Sequence, residues 1–326
     1  MRIFISALAV VIGILMLAIG FGGPHRPAEM ASINAPFKSI DFSDLPTLET
    51  YQAKDGVALS FRTYRPKTSH PLGAVVLVHG SSANSNSMHV LAKALAKAGL
   101  TAYALDMRGH GSSGKKGSIQ YIGQLEDDLV SFSNAVLTDQ KATLLGFSSG
   151  GGFVMRFAGS AHQDRFQSYL LMSPFISQDA PNYRPNSGGW VNVGLSRLMA
   201  LSLLNGIGIT AFNDLTVTSF AVSNEMANIL TPEYSYALAS NFRPLADYKA
   251  NIQAMHQPCA VIAGTSDEAF QTDKLEHIVR EQGKNWPVVL LPNIDHIGLI
   301  TDEAAVQSTV RMVKQLQSEQ TKALPL

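Results

Sequence analysis

Ser148 is surrounded by the residue pattern of an activated nucleophile. It is the middle residue of GFSSG, Gly146 to Gly150, which follows the apolar run ATLL and precedes a helical segment. This pattern is typical of a tight strand-to-helix turn, in which glycines permit a crowded backbone and the serine hydroxyl is exposed. A serine hydroxyl is a poor nucleophile at neutral pH, so it needs a base, and the base needs an orienting carboxylate.

Asp267 and His296 are the candidates for the acid and the base. Asp267 lies in AGTSDEAF, directly after the apolar run CAVIAG, and His296 lies in NIDHIGL, directly after PVVLL. Catalytic groups collect at the carboxyl ends of strands in open α/β sheets, and the chain order Ser, acid, His accompanies this type of serine turn. Asp295 is an alternative acid, although a residue next to a histidine in the chain seldom points at its ring.

Backbone N–H groups are expected to stabilise the negative charge that develops in such a reaction. The turn HGSS follows the apolar run AVVLV and is expected to aim the N–H of Ser81 at the oxyanion, together with the N–H of Ser149. The side chain of His79 in this turn is expected to brace the loop, with proton transfer as the less favoured alternative.

The elements that position these residues alternate between strand and helix. Two β-rich runs flank Gly56 and predict an antiparallel hairpin, and apolar runs suited to buried parallel strands then alternate with helical patterns. Repeated βα units of this kind predict a doubly wound, mostly parallel sheet between helical layers. The alternation stops after Pro174 and resumes at CAVIAG, so residues from about 175 to 255 are expected to form a helical lid.

The predicted lid is rich in apolar side chains, more than one exposed helix requires. They lie around an expected helix at Leu195 to Leu204. One interpretation is that they pack onto the sheet domain; the other is that several line an acyl-chain pocket or touch a membrane. The residues concerned are Trp190, Val191, Val193, Leu195, Leu198, Met199, Leu201, Leu203 and Leu204.

The N-terminal segment is a separate feature. Ile3 to Phe21 carries no charge and spans about 28 Å as a helix at ~1.5 Å per residue, which reaches across a bilayer core. Residues 1–23 are therefore expected to be a membrane anchor with the folded domain outside the cytoplasm, or the cleaved signal peptide of a secreted or periplasmic protein. Residues 24–48 are expected to be a tether, 49–317 the folded domain and 318–326 a tail.

Composition excludes several classes of function. Apolar residues make up 46% of the chain and charged residues 15%, which supports a sizeable core and is unlike disorder. Twenty-five basic residues balance twenty-five acidic ones, so there is no electrostatic basis for binding nucleic acid. The solitary Cys259 excludes an internal disulfide and a Cys-based zinc cluster. No metal or organic cofactor is expected, and the oligomeric state is not indicated.

Three motifs in order, VLVHGSS, LDMRGHGSSG and GFSSGG, resemble the lysophospholipase and monoacylglycerol-lipase group of α/β-hydrolases, which includes proteins labelled serine aminopeptidases. The resemblance covers about Tyr51 to Gln317 and implies the α/β-hydrolase fold. It implies a catalytic triad and an oxyanion hole at the candidate positions Ser148, Asp267, His296, Ser81 and Ser149. It also implies a structural loop beside the site that contains Asp106, Arg108 and His110.

The resemblance implies hydrolysis of carboxylic esters, in particular lipid-like monoacyl esters, through an acyl-enzyme and without a cofactor. An aminopeptidase or amidase on the same fold is an alternative. It would need acidic lid residues to hold the amine of its substrate, and the available ones are Asp179, Asp214, Glu225 and Glu233. A membrane-tethered binding protein without catalysis is a third possibility, against which the filled triad positions argue.

Overall fold

A mixed sheet forms the centre of the computed structural model, which describes residues 2–138 and 140–323. The strands in chain order are β1 (Leu48–Gln52), β2 (Ala58–Tyr64), β3 (Ala74–Val78), β4 (Thr101–Leu105), β5 (Ala142–Phe147), β6 (Ser168–Met172), β7 (Val191–Val193), β8 (Thr216–Phe220), β9 (Glu233–Ser235), β10 (Cys259–Gly264) and β11 (Val288–Leu291). Eight of them form one sheet in the order β1-β2-β4-β3-β5-β6-β10-β11. Strand β2 pairs antiparallel with both β1 and β4, and every other neighbour in this sheet is parallel.

Apolar runs in the sequence became the central strands, as predicted. Every residue of β3, β5, β6 and β10 is buried, because helices cover a parallel sheet on both faces. The predicted hairpin is also present, with Leu48 opposite Arg62 and Gln52 opposite Ala58 across the turn at Gly56. The sequence pattern therefore identified each strand that carries a candidate site residue at its end.

Eleven α-helices accompany these strands within the described residues. In chain order they are α1 (Arg2–Phe21), α2 (Ala31–Asn34), α3 (His89–Lys97), α4 (Gln124–Phe132), α5 (Ser149–Ala158), α6 (Leu195–Gly206), α7 (Tyr236–Asn241), α8 (Tyr248–Ala254), α9 (Leu275–Glu281), α10 (Gly298–Thr301) and α11 (Glu303–Ala323). Helix α3 packs against α10 and α11, and α5 packs against α8. The doubly wound, mostly parallel fold predicted from the alternation is thus confirmed.

The lid between β6 and β10 contains a small sheet as well as helices. The predicted apolar helix is present as α6, but β7, β8 and β9 form a separate three-stranded antiparallel sheet. The sequence indicated only helix here, because β7 and β9 have three residues each and are too short to show an alternating pattern.

The segment expected to be a tether, residues 24–48, is packed against the lid. It contains α2 and a 3-10 turn, Pro36–Ser39, and the Ile33 side chain is buried. The side-chain amide of Asn34 donates hydrogen bonds of 2.8 Å to the Met30 carbonyl and 3.0 Å to the Ala221 carbonyl of the lid. These contacts hold the polar segment against the lid, although its composition did not indicate contacts with the folded domain.

The N-terminal helix α1 packs against α6 of the lid. The Arg197 guanidinium on α6 donates hydrogen bonds of 2.7 Å and 3.1 Å to the carbonyls of Ile19 and Gly20 at the end of α1. Across residues 2–138 and 140–323, no helix has both the length and the apolar character needed to cross a membrane. The expected transmembrane anchor is therefore not supported.

At the C-terminal end, helix α11 continues to Ala323, beyond the expected domain boundary at residue 317. Residues 324–326 of the expected tail lie outside the described residues.

Candidate active site

Ser148 lies on the turn between β5 and α5, in a conformation that is uncommon for a residue with a side chain. Its φ is 57° and its ψ is −122°. The flanking glycines are required by close approach: a Cβ on Gly146 would lie 2.3 Å from the Gly150 carbonyl oxygen, and one on Gly150 would lie 2.2 Å from that of His79. The Ser148 N–H donates to the Met172 carbonyl at 2.9 Å, which ties the turn to β6.

The structure brings the three candidates for nucleophile, base and acid into one chain of hydrogen bonds. Ser148 Oγ lies 3.0 Å from His296 Nε2, and His296 Nδ1 lies 2.8 Å from Asp267 Oδ2. All three residues are buried. With the Nδ1 proton held by the carboxylate, Nε2 is free to accept the proton of the serine hydroxyl.

Asp267 is held as a carboxylate by its surroundings. Its Oδ1 accepts hydrogen bonds from the backbone N–H groups of Ala269 and Phe270, at 2.8 Å and 2.9 Å. Burial alone would raise the pKa of Asp267, but the adjacent His296 ring and the Phe270 N–H lower the pKa below its ordinary value. The alternative acid, Asp295, is exposed and accepts the N–H of Gly298 at 2.6 Å at the start of α10.

The His296 ring is buried between aromatic side chains and faces a carboxylate. The Phe147 and Phe270 ring centroids lie 4.7 Å and 5.4 Å from that of His296. Burial favours the neutral ring and would lower the pKa of His296. The Asp267 carboxylate more than compensates for this, so the pKa of His296 is raised above its ordinary value.

The N–H groups predicted to stabilise an oxyanion belong to residues that line the same cavity as Ser148. The N–H of Ser81 and that of Ser149 have no acceptor within the described ranges, so both are available as donors. The Ser81 hydroxyl accepts a hydrogen bond of 2.8 Å from the indole N–H of Trp190, a lid residue. The lid therefore contacts the loop that would hold the oxyanion.

The buried His79 side chain holds the loop that contains Ser81 in place. The Met107 N–H donates to His79 Nε2 at 3.3 Å, which leaves the proton on Nδ1 to donate to the Gly80 carbonyl at 2.7 Å. Burial lowers the pKa of His79, consistent with a neutral ring. These contacts match the bracing role expected for His79.

Tyr234 of the lid contributes to the same bracing and was missed by the sequence analysis. Its hydroxyl accepts the Ser82 N–H at 2.6 Å and lies 2.5 Å from His110 Nε2. No local pattern identifies such a residue, because the contact joins Tyr234 to residues more than a hundred positions earlier in the chain.

Arg108 anchors the loop that the family resemblance marks as structural. Its guanidinium donates to both carboxylate oxygens of Asp128 at 2.7 Å and to those of Asp55 at 2.9 Å and 3.0 Å. Asp106, in the same loop, accepts the N–H groups of Ser85 and Ser112, each at 2.8 Å. These charge-assisted hydrogen bonds fix the loop, and neither Arg108 nor Asp106 lines the cavity that contains Ser148.

An apolar cavity of about 1030 Å³ opens onto Ser148. Of the nine apolar lid residues singled out from the sequence, five line it: Trp190, Val191, Val193, Leu195 and Leu198. Leu201 is instead fully buried in a small second core with Val217, while Met199 and Leu203 are exposed. The N-terminal segment also lines the cavity through Ile33, Phe37 and Phe42, which the sequence analysis did not anticipate.

Among the residues described, no group of three or more His, Cys, Asp or Glu side chains is arranged to hold a metal ion. The arrangement of Ser148, His296 and Asp267 with the N–H groups of Ser81 and Ser149 is the one that acyl transfer through a serine requires.

Comparison with known proteins identifies the family. Residues 69–300, which are more than two thirds of the chain, match the family model of serine aminopeptidase, S33. The chain belongs to this family. The matched S33 region contains Ser148, Asp267 and His296, together with the whole lid.

Curated relatives match this S33 protein over a shorter stretch. A monoacylglycerol lipase of Mycolicibacterium smegmatis is 31% identical over 126 residues, which cover 37% of this chain and 44% of that protein. A non-heme chloroperoxidase of Kitasatospora aureofaciens is 32% identical over 126 residues, covering 37% of this chain and 42% of the other. The chain thus spans less than half the length of these relatives.

Solved structures match over most of the chain. A monoacylglycerol lipase of Paleococcus ferrophilus superposes with a TM-score of 0.59 at 20% identity, covering 80% of this chain and 98% of that one. A soluble variant of monoglyceride lipase from Saccharomyces cerevisiae has a TM-score of 0.63 at 15% identity, covering 86% of this chain and 97% of that one. At such identities the likeness concerns the fold, and it confirms the α/β-hydrolase architecture.

Proposed function

We propose that this protein is a serine hydrolase that cleaves carboxylic esters, with lipid-like monoacyl esters as substrates. The observation that carries the proposal is the buried hydrogen-bonded chain from Ser148 through His296 to Asp267, at 3.0 Å and 2.8 Å, beside an apolar cavity. Similarity to proteins named monoacylglycerol lipase supports the choice of substrate class.

The proposed reaction begins when Ser148 Oγ attacks the ester carbonyl and His296 Nε2 accepts the serine proton. The carbonyl oxygen becomes an oxyanion that receives hydrogen bonds from the N–H groups of Ser81 and Ser149. When this intermediate collapses, the C–O bond to the alcohol breaks and His296 returns the proton to the departing oxygen. A water molecule then attacks the acyl-serine and loses a proton to His296. As the bond between the acyl carbon and Ser148 Oγ breaks, His296 returns this proton to Oγ, and the carboxylic acid is released.

An aminopeptidase or amidase activity is less well supported by the cavity. Recognition of a substrate amine needs a carboxylate within reach of the reacting bond. Of the four acidic lid residues available for this, only Glu225 lines the cavity, and it is exposed. Asp214 instead accepts a hydrogen bond of 2.6 Å from the Ser118 hydroxyl.

Activity is expected to rise with pH through a midpoint above the ordinary value of ~6.5 for histidine. Only the neutral His296 ring accepts the serine proton, and the Asp267 carboxylate raises the pKa of that ring. The measurement is kcat/KM against pH for a neutral ester, followed by pH-stat titration of the released acid. A midpoint at or below ~6.5 would contradict the raised pKa. In Asp267→Asn the residual activity should show a lower midpoint, because the charge that raises the pKa is absent.

Longer acyl chains are expected to be better substrates until the cavity is filled. Each buried methylene contributes about 0.8 kcal/mol, and the cavity wall near Ser148 is largely apolar. We therefore expect kcat/KM for 4-nitrophenyl esters, below their critical micelle concentration, to rise at least about tenfold from acetate to octanoate.

Two leucines on α6 provide a matched pair of variants for this experiment. Leu198 lines the cavity, whereas Leu203 is 64% exposed on the same helix. Leu198→Ser should flatten the dependence on chain length, and Leu203→Ser should keep it. A flat profile in the unmodified protein would mean that the cavity does not hold the acyl chain, and would favour small esters or amides.

A further inference from the structure

One charged side chain in the cavity has no part in the proposed reaction. Arg243 follows α7 and lines the cavity that contains Ser148. It is half-buried, whereas the other lysine, arginine, aspartate and glutamate residues that line the described cavity, Lys38 and Glu225, are exposed. Solvent and salt screen exposed charges much more than partly buried ones, so the charge of Arg243 is the least screened of these three.

Arg243 is a half-buried arginine that forms no ion pair with any described carboxylate. Arg108 forms ion pairs with carboxylates, and Arg197, half-buried like Arg243, donates to several backbone carbonyls instead. The Arg243 guanidinium donates a hydrogen bond of 2.6 Å to Gln178 Oε1, and its Cζ lies 5.3 Å from the centroid of the Phe175 ring. Across the residues that the structure describes, no carboxylate lies within ion-pair distance of it.

The unpaired guanidinium is suited to an anion. Burial lowers the pKa of Arg243, which the field of the exposed Asp179 carboxylate partly offsets, and arginine remains charged at neutral pH. A guanidinium has five N–H donors in a planar fork that matches two oxygens of a carboxylate or phosphate. One hydrogen bond to Gln178 leaves most of these donors unused.

Phe175 links Arg243 to the nucleophile. Its N–H donates to the Ser148 carbonyl at 3.0 Å, while its ring lies under the guanidinium. Pro244, the next residue after Arg243, lies so close to the first turn of α5 that a Cβ on Gly152 would be 2.7 Å from its Cδ. Arg243 and Ser148 therefore both contact Phe175 and line the same cavity, so one bound molecule can reach both.

We propose that Arg243 binds an anionic group of the substrate, a carboxylate or a phosphate, and so selects monoacyl esters with negative charge near the scissile bond. The reaction part of this inference rests on the proposed function. The anion is carried either on the acyl side, as in the half-ester of a dicarboxylic acid, or on the alcohol side, as in an acylglycerol phosphate. The carboxylate and the phosphate each present a pair of anionic oxygens to the guanidinium.

The test is a ratio of kcat/KM values for matched anionic and neutral esters. The acyl-side pair is mono-4-nitrophenyl adipate and 4-nitrophenyl hexanoate, and the alcohol-side pair is 1-decanoylglycerol 3-phosphate and 1-decanoylglycerol. Arg243→Met should lower the anionic-to-neutral ratio at least about tenfold for one pair, which identifies the side that carries the charge. Because both esters report on the same active fraction, the ratio does not depend on how much of the variant folds.

Two further variants separate binding from general electrostatics. Arg243→Lys keeps the charge without the fork and should retain part of the preference. Lys249→Met removes an exposed cation of α8 that does not line the cavity and should leave the ratio unchanged. A ratio that is unaltered in Arg243→Met for both pairs, or lowered equally in Lys249→Met, overturns the proposal.

Binding without turnover distinguishes failure of this inference from failure of the proposed function. In Ser148→Ala, calorimetry should find the anionic ligand of one pair, monoethyl adipate against ethyl hexanoate or 1-decanoylglycerol 3-phosphate against 1-decanoylglycerol, bound at least about tenfold more tightly than its neutral partner. Arg243→Met in that background should remove the difference. Anion binding that depends on Arg243, in a protein that hydrolyses no ester, would refute the reaction and leave the subsite. If the protein hydrolyses esters but its affinity for the anion does not depend on Arg243, the anion subsite is refuted and the proposed reaction stands.

Discussion

Replacing Ser148 with alanine is expected to abolish covalent labelling by a fluorophosphonate and to lower kcat by about three orders of magnitude or more. The methyl side chain cannot attack, so only substrate binding and the backbone donors remain to assist water. His296→Ala should have an effect of similar size, because without its base the serine hydroxyl is a poor nucleophile. Initial rates with 4-nitrophenyl octanoate and gel detection of the labelled protein measure both effects.

Controls for these variants come from residues of the same type outside the cavity. Ser160 lies after α5, where its hydroxyl donates to the Phe157 carbonyl at 2.7 Å, and His277 is exposed on α9. Ser160→Ala and His277→Ala should keep labelling and activity. Persistent labelling of Ser148→Ala would place the nucleophile elsewhere. Failure of the unmodified, folded protein to react at all would favour the alternative of a binding protein without catalysis.

The strands and the grouping of the candidate site residues were predictable because their signals are local. A continuous apolar run such as AVVLV or ATLLGF has to be buried on both faces, and a parallel sheet satisfies that requirement. The glycines around Ser148 mark a turn tight enough to need them. Strand-end positions then suffice to group Asp267 and His296 with Ser148, because parallel strands end at the same edge of a sheet.

The contacts made by the lid were not predictable in the same way. Trp190 and Tyr234 reach the oxyanion loop through hydrogen bonds to Ser81 and Ser82, which lie 109 and 152 residues away in the chain. The lid strands that position them are too short for a periodic signal. A pattern read along the chain identifies faces and turns, but it does not indicate which distant side chain meets them.

The N-terminal segment shows a different limit. Pro, Ser and Asp residues between 24 and 48 favour an extended tether, and only a few side chains, among them Ile33, anchor the segment to the lid. A hydrogen bond such as that from Asn34 to the Ala221 carbonyl joins positions 187 residues apart. Such isolated contacts leave no mark in composition, although they bring Ile33, Phe37 and Phe42 to the cavity wall.

Asp267→Asn is expected to lower kcat by a factor of about 10²–10⁴, while Asp295→Asn should keep near-full activity. The Asp267 carboxylate accepts the Nδ1 proton of His296 at 2.8 Å and stabilises the charged ring that forms when the serine proton is transferred. An asparagine amide is uncharged, and if its N–H₂ faces the ring it favours the tautomer with the proton on Nε2, which cannot act as the base. The two variants make the same substitution in the loops after β10 and β11, so rates measured side by side test the assignment directly.

Asp295 is the matched control because it is the nearest acid to His296 in the chain but has a different partner. Its carboxylate accepts the Gly298 N–H at 2.6 Å, and an asparagine side-chain oxygen at this position accepts the same hydrogen bond. Thermal unfolding should therefore record a small change for Asp295→Asn and the rate assay almost none. If Asp295→Asn proves the damaging change and Asp267→Asn is close to unmodified protein in rate, the acid has been assigned to the wrong carboxylate. Equal, small effects of both would mean that His296 needs no carboxylate to act as the base.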